Sequence, residues 1–121
     1  HDAVVARFSV LPSSTATTLR AIREVAGRLG LMSRVVLQAT GTGVVRLQGT
    51  HEQALAAGLG VLRSRVAEGS GSLVVHVCPA PIKDRIDVWG PVGDAHPLMF
   101  RIKEQFDPRG IMNPGRFIGG I

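Results

Sequence analysis

The chain has 121 residues, 45% of them hydrophobic and 19% charged, and a formal net charge of +5 at pH 7. This length and composition allow one globular core and exclude a disordered or collagen-like chain. No apolar run approaches the roughly 20 residues that cross a bilayer, and the opening HDAVVARFSV lacks the basic segment of a signal peptide. A strand-like pattern begins almost at once, which suggests a chain cut from a longer protein, although processing or a cloning choice would also explain it. The positive charge fits nucleic acid, an acidic ligand or an acidic partner subunit.

Side chains that commonly hold metals are few and scattered. The single cysteine, Cys78, cannot form an internal disulfide and fits a reducing compartment. We expect Cys78 to be a small, buried hydrophobic residue. No CxxC or HxxxH spacing is present, so we expect no metal site. The histidines are His1, His51, His76 and His96.

The first part of the chain predicts a strand, a helix and a hairpin. Alternation over residues 3–10 predicts a half-buried strand whose buried face consists of Val4, Ala6, Phe8 and Val10. Pro12-Ser13-Ser14 then ends the strand and offers a hydroxyl N-cap. Helical spacing predicts a helix, closed by Gly30, along the stripe Leu19, Ile22, Ala26 and Leu29. In residues 33–49 two β-rich runs flank a Thr-Gly-Thr-Gly turn, which predicts a hairpin rather than a phosphate cradle because no helix follows.

A second helix and a fourth strand complete the pattern. Thr50 and Gln53 fit a capping box that opens a helix ending at Gly69, with His51 exposed in its first turn. The apolar stripe of this helix is Leu55, Leu59, Leu62 and Val66. After GSGS, the run SLVVHVC predicts a strand that stops at Pro79. The order β-α-β-β-α-β predicts an α+β, ferredoxin-like fold, with a four-stranded antiparallel sheet and two helices on one face.

The last third predicts a connector, a helix and a tail. We expect residues 1–80 to form the ferredoxin-like core, and residues 81–121 to add the connector, the C-terminal helix and the tail within one structural domain. Asp94 is the expected helix cap, with Pro97 in the first turn. The apolar stripe of this helix is Leu98, Ile102 and Phe106. The tail FDPRGIMNPGRFIGGI has more turn chemistry than a fraying terminus, so we expect it to be tied down.

Strand alternation also predicts which side chains lie on the helix-free face of the sheet. The polar ones are Arg7, Gln38, Arg46 and His76, and the others are Val5, Val36, Val44, Val74 and Cys78. Such a mixed face either lies against another domain without any chemistry or uses an arginine to attract a carboxylate. RNA-recognition domains share the topology, but they stack bases on aromatic residues that GVVRLQG lacks. The sequence also has no GxSxG, Walker or GxGxxG motif, so most of any catalytic machinery lies elsewhere.

The C-terminal third carries a more specific signature. DVWGP followed by PLMFRIKEQFDPRGIMNPGRF resembles the end of the FAD-linked oxidases of the vanillyl-alcohol-oxidase type. Within that superfamily the segment is most similar to the group of glycolate oxidase (glycolate dehydrogenase) E subunits. The resemblance is close over residues 86–118, and over residues 1–80 it extends only to the kind of domain expected there.

The resemblance implies that the chain is the C-terminal, substrate-side cap of an FAD-dependent oxidoreductase subunit that acts on 2-hydroxy acids such as glycolate. FAD would be bound mainly by an N-terminal FAD-binding domain outside this chain, and the tail would return to that domain. Asn113 and Arg116 match the NPG-plus-basic motif, so they either contact the cofactor or form a turn that docks the tail. The implied partners are a catalytic flavoprotein subunit and an iron–sulfur subunit, in a cytoplasmic complex at the inner face of the membrane.

Two segments depart from the related D-2-hydroxy-acid dehydrogenases. Their GDGNxH and EHG motifs supply metal-binding and catalytic histidines, whereas this chain has GSGSLVVHVCP at the comparable strand. We therefore assign no catalytic residue and expect the isolated chain to be inactive and free of FAD. The alternative is a stand-alone ferredoxin-like module that binds a ligand or regulates a partner.

Overall fold

The structure, a computed structural model, describes residues 2–121, so His1 lies outside the described residues. The chain divides into two compact units, the first of which ends at Val88, while the second comprises Trp89–Ile121. None of the described helices is long and apolar enough to cross a membrane.

The first unit has the predicted α+β, ferredoxin-like architecture. Its main elements are β1 (Asp2–Ser9), α1 (Thr15–Arg28), β2 (Met32–Leu37), β3 (Thr42–Gly49), α2 (Glu52–Glu68) and β4 (Ser72–Val77). A 3₁₀ turn at Pro12–Ser14 precedes α1, and the one-turn helix α3 (Ala80–Lys83) follows β4. The strands form one sheet in the order β2-β3-β1-β4, and every neighbouring pair is antiparallel. This confirms the predicted fold class.

The core of this unit lies between α1, α2 and one face of the sheet. Strand side chains alternate between faces, so every second residue of β1 and β3 enters the core. Predicted and observed burial agree for Val4, Ala6, Phe8, Val10, Ile22, Ala26, Leu55, Leu59, Leu62 and Val66. Gly43 makes room for this packing, because a Cβ there would come within 2.4 Å of the Phe8 ring. Ile82 of α3 is also fully buried in the core, so the segment predicted as a connector contributes to the core.

The C-terminus of α1 follows its sequence signal, whereas the N-terminus of α2 does not. At the end of α1, Gly30 has a φ of +64° and the Leu31 N–H donates to the Ala26 carbonyl at 2.8 Å, which is a Schellman motif. The predicted capping box at Thr50 is wrong. The chain is still extended at His51, whose carbonyl accepts the N–H groups of Ala54 and Leu55, so His51 is the N-cap and has no side-chain capping bond.

Side-chain capping is also absent at the other predicted starts. Ser14 precedes α1 but its hydroxyl makes no capping bond, and Thr15 Oγ1 donates instead to the carbonyl of Pro12 at 2.9 Å. Asp94 does not cap the last helix, α4 (His96–Phe106), whose N-cap is Ala95. The preceding turn is closed by the backbone, because the His96 N–H donates to the Gly93 carbonyl at 3.0 Å.

The hairpin between β2 and β3 is present as predicted. The Gln38 N–H donates to the Thr42 carbonyl at 2.9 Å, and the Gly41 N–H donates back to the Gln38 carbonyl at 3.0 Å. Gly41 has a φ of +90°, and a Cβ at this position would lie 2.0 Å from the carbonyl oxygen of Val10. This position therefore requires glycine for both its backbone conformation and its contact with the end of β1.

The two edges of the sheet differ. Antiparallel hydrogen bonding alternates, so the bonded Gln38–Thr42 pair directs the N–H groups of Ser33, Val35 and Leu37 away from β3. No backbone bond among residues 2–121 reaches this outer side of β2. On the opposite edge the Val75 N–H donates to the Val88 carbonyl at 2.8 Å, and the register with β1 shifts at His76 in a β-bulge.

The second unit consists of α4 and the C-terminal tail. Pro97 lies in the first turn of α4, as predicted. The predicted stripe of Leu98, Ile102 and Phe106 is present, but these side chains are 61%, 50% and 79% exposed, and no residue of α4 is buried.

Candidate functional site

The helix-free face of the sheet is the first candidate site. By strand alternation it carries Arg7, Arg34, Arg46 and His76, all of them exposed, and no Asp or Glu from the described strands. Val36 and Val77 on this side are 74% and 58% exposed. A sheet face with this much exposed apolar surface and unbalanced positive charge differs from an ordinary solvated face, which mixes both charge signs.

Three of the four predicted polar residues of this face share one depression. Arg7 from β1, Gln38 from the hairpin and His76 from the bulge of β4 line an open hollow of about 310 Å³. Its floor and walls are completed by Val36, Thr42, Gly43 and Val44. Guanidinium, amide and imidazole groups all donate hydrogen bonds, so the hollow suits the carboxylate of a small acid.

Arg46, the fourth predicted residue, lies outside this hollow and next to another arginine. In the sheet register Arg46 is paired with Arg34 on β2 and with Val5 on β1. Arg7 is paired with Val44, two residues before Arg46, so Arg7 and Arg46 are diagonal neighbours. Arg7, Arg34 and Arg46, here called the arginine triad, form no ion pair with any residue in the described part of the chain. Arg34 was not among the predicted residues of this face, although Arg34 shares the parity of Val36.

The bulge at His76 was not predicted, because a bulge depends on strand pairing and not on local pattern. Val5 of β1 is paired with Val77 and Ala6 with Val75, so His76 has no partner of its own in the ladder. Bulges of this kind often direct a side chain toward a functional site. Cys78, just beyond, is half-buried and free. Among residues 2–121, no three His, Cys, Asp or Glu side chains lie close enough together to hold a metal ion.

The second candidate site is the C-terminal tail, which is organised by the carboxylate of Asp107. Its two oxygens accept the N–H groups of Ile111 and Met112 at 3.0 and 2.9 Å and the Lys103 ammonium at 2.6 Å. Lys103 also donates to the carbonyl of Met112. The pKa of Asp107 is lowered from its ordinary value, mainly by the hydrogen bond from Lys103 and next by that from Met112. Asp107 is therefore an acceptor that fixes the tail on the end of α4.

A second contact fixes the rest of the tail. Trp89 Nε1 donates to the Arg116 carbonyl at 3.3 Å, and its ring meets Phe117 edge to face with centroids 4.9 Å apart. Asn113 adopts a φ of +47°, which is uncommon for a residue other than glycine. The tail is thus tied to its own unit, as its turn chemistry indicated.

Asn113 and Arg116, the two residues predicted to contact a cofactor, line one groove. This groove has a volume of about 650 Å³, and Lys103, Asp107 and apolar side chains of α4 and the tail complete it. The apolar contributions come from Met99, Ile102, Phe106, Met112, Phe117 and Ile121. The groove is mainly apolar with a few polar groups, which is the usual character of a surface that receives a partner or ligand.

Among residues 2–121, Arg63 also has a perturbed pKa, and its role is structural. Burial lowers the pKa of this α2 residue, while the carboxylate of Asp87 opposes that shift. Arg63 Nη2 donates to the Val88 carbonyl at 3.4 Å. These contacts hold the last residues of the first unit against α2.

No protein-family model matches this sequence, and no curated protein matches it either.

Proposed function

We propose that this chain is the cap domain of an FAD-dependent oxidoreductase subunit that acts on 2-hydroxy acids such as glycolate. The observation that carries the proposal is the hollow on the helix-free face, where Arg7, Gln38 and His76 converge on an exposed, cationic surface. A carboxylate pairs well with a guanidinium, and an open sheet face can cover a ligand that is held by another domain.

The hairpin turn between β2 and β3 does not fit the phosphates of FAD. Gly41 belongs to the hairpin turn and its N–H is already bonded to Gln38, whereas Gly43 lies within β3 and is buried against Phe8. No helix begins after this turn, so the turn has no phosphate cradle of the dinucleotide-binding type. In this proposal a separate domain holds the cofactor, and this chain contributes to the substrate side.

The contribution of the chain itself is binding and orientation. Arg7 pairs with the substrate carboxylate, while Gln38 and His76 donate hydrogen bonds at the rim of the hollow. Holding the acid in one orientation fixes the position of its α-carbon, which is the carbon that is oxidised. FAD, when bound in the complete protein, supplies the hydride acceptor.

The groove in the second unit is the proposed contact with the FAD-binding domain. Its exposed side chains Ile102, Phe106 and Met112 provide the apolar area that a stable interface requires. Asn113 and Arg116 at the same groove supply polar groups for the domain surface or for the cofactor. The other proposed partners are a catalytic flavoprotein subunit and an iron–sulfur subunit, in a cytoplasmic complex peripheral to the membrane.

The test compares the chain alone with the chain joined to the domain encoded directly upstream. We expect the joined protein to show the visible absorbance of bound flavin and, when assembled with its proposed partner subunits, to reduce a dye in the presence of a 2-hydroxy acid. Arg7→Gln should raise the KM for the acid about tenfold with little change in kcat, because the carboxylate contact is lost from ground and transition states alike. Arg23→Gln, an exposed change on α1, is the control. Near-stoichiometric flavin on the 121-residue chain alone would contradict the proposal.

The alternative function is a stand-alone ferredoxin-like module that binds a ligand or regulates a partner. The open outer side of β2 favours it, because added strands pair with such edges. The reading frame before His1 separates the two functions. A Gly-rich FAD-binding domain encoded there supports the cap, and a start codon directly before His1 supports the module.

A further inference from the structure

We propose that the arginine triad of Arg7, Arg34 and Arg46 binds a multiply charged oxyanion of the phosphoryl type. This inference goes beyond the cap function and does not rest on it, because the site consists of side chains of this chain alone. The triad shares Arg7 with the hollow, whereas Arg34 and Arg46 lie outside the hollow.

The first argument is the pairing of like charges. Arg34 and Arg46 are directly opposite each other across β2 and β3. Two like charges at such a position destabilise a sheet, and any neutral residue would remove the repulsion. Glu24 pairs with Arg28 and Arg65, Asp107 pairs with Lys103 and Asp87 acts on Arg63, so none of these acidic groups relieves it. A bound anion would turn this repulsion into attraction.

The second argument is geometric. Residues that exchange ladder hydrogen bonds have Cα atoms about 5.5 Å apart, and diagonal neighbours lie about 7–8 Å apart. Arg34, Arg46 and Arg7 stand on three consecutive strands of the same face, so their long side chains can meet over one point. A guanidinium offers a planar fork of donors, and phosphoryl oxygens accept such forks from several directions.

The third argument concerns charge. One guanidinium fork already saturates a monocarboxylate, and Arg7 supplies one in the hollow. Three unpaired cations on a face without acidic side chains therefore exceed what a monoanion requires. The match is an oxyanion with two or more negative charges, either a free phosphate compound or the phosphomonoester headgroup of a lipid.

The experiment measures thermal unfolding of the full chain by far-UV circular dichroism, in chloride or in inorganic pyrophosphate at equal ionic strength. At tenfold above the dissociation constant, ligand binding favours the folded state about elevenfold, which raises Tm by about 5 °C for a protein of this size. Arg34→Gln and Arg46→Gln should remove most of this rise. Each should also raise the Tm of the ligand-free protein at low salt, which a merely structural arginine would not do.

Arg23→Gln, on the exposed side of α1, is the matched control and should behave like the wild type in both measurements. A parallel arm measures flotation with phosphatidylcholine vesicles with and without phosphatidic acid. Triad-dependent binding to pyrophosphate identifies a free phosphate compound as the ligand, and triad-dependent binding to the acidic vesicles alone identifies a lipid headgroup. Equal responses of all variants in both arms, or no response of the wild type in either, would overturn the proposal.

Discussion

Truncation of Ile82 tests whether the short helix after β4 belongs to the core. Ile82 is 0% exposed and packs in the same cluster as Phe8 and Leu62. Replacing a fully buried isoleucine by alanine removes three methyl or methylene groups and leaves a cavity, so we expect Ile82→Ala to lower the free energy of unfolding by about 2–5 kcal/mol. Ile82→Val, which removes one group, should cost about 1 kcal/mol.

Urea denaturation followed by circular dichroism measures this change. Both variants should shift the transition midpoint and leave the slope with denaturant unchanged, because the surface exposed on unfolding stays the same. The control is Ile102→Ala in α4, whose side chain is 50% exposed, and we expect a change within about 0.5 kcal/mol. A loss below about 1 kcal/mol for Ile82→Ala would mean that α3 is only loosely attached and that the core ends with β4.

Two further predictions concern the hairpin and the tail. Gly41→Ala should lower the free energy of unfolding by about 2 kcal/mol or more, because the backbone is at a φ of +90° and the new Cβ would meet the Val10 carbonyl. Urea denaturation measures this loss, and a loss below about 0.5 kcal/mol would disprove the prediction. Asp107→Asn should loosen the tail at neutral pH, seen as a change in the fluorescence of Trp89, the single tryptophan. Since the pKa of Asp107 is lowered in the folded state, its stabilisation is complete above the unfolded pKa and is lost as pH falls through the folded one. The Trp89 fluorescence of the wild type should therefore change only below about pH 4. If Asp107→Asn has the same fluorescence as the wild type at neutral pH and the same change in acid, Asp107 does not fix the tail.

Periodicity predicted the elements that bury a face, and it could not predict the contacts that depend on the path of the chain. The alternation of β1 and the stripe of α2 identified the core because burial acts on every second or every third to fourth residue. The caps failed at Thr50 and Asp94 because the backbone enters each helix at another residue, whatever hydroxyl or carboxyl stands nearby.

The candidate sites show the same division. Parity alone placed Arg7, Gln38 and His76 on the face where they share a hollow. The bulge at His76 and the pairing of Arg34 with Arg46 follow from the register between strands, which no local pattern contains. Asp107 lies in the tail whose turn chemistry the sequence shows, and its bond with Lys103 was predictable because residues four apart face each other on a helix.

Arg34 also has a second role, because it lies on β2, whose outer side is an open edge of the sheet. The unpaired N–H groups of Ser33, Val35 and Leu37 form a template on which a strand of another molecule could grow, and Val36 beside them is 74% exposed. A charged side chain in the middle of such a strand acts as a gatekeeper against self-assembly into fibrils. Arg34→Gln would then yield a protein that is harder to unfold and quicker to aggregate. Thermodynamic stability and colloidal solubility would move in opposite directions at this one position.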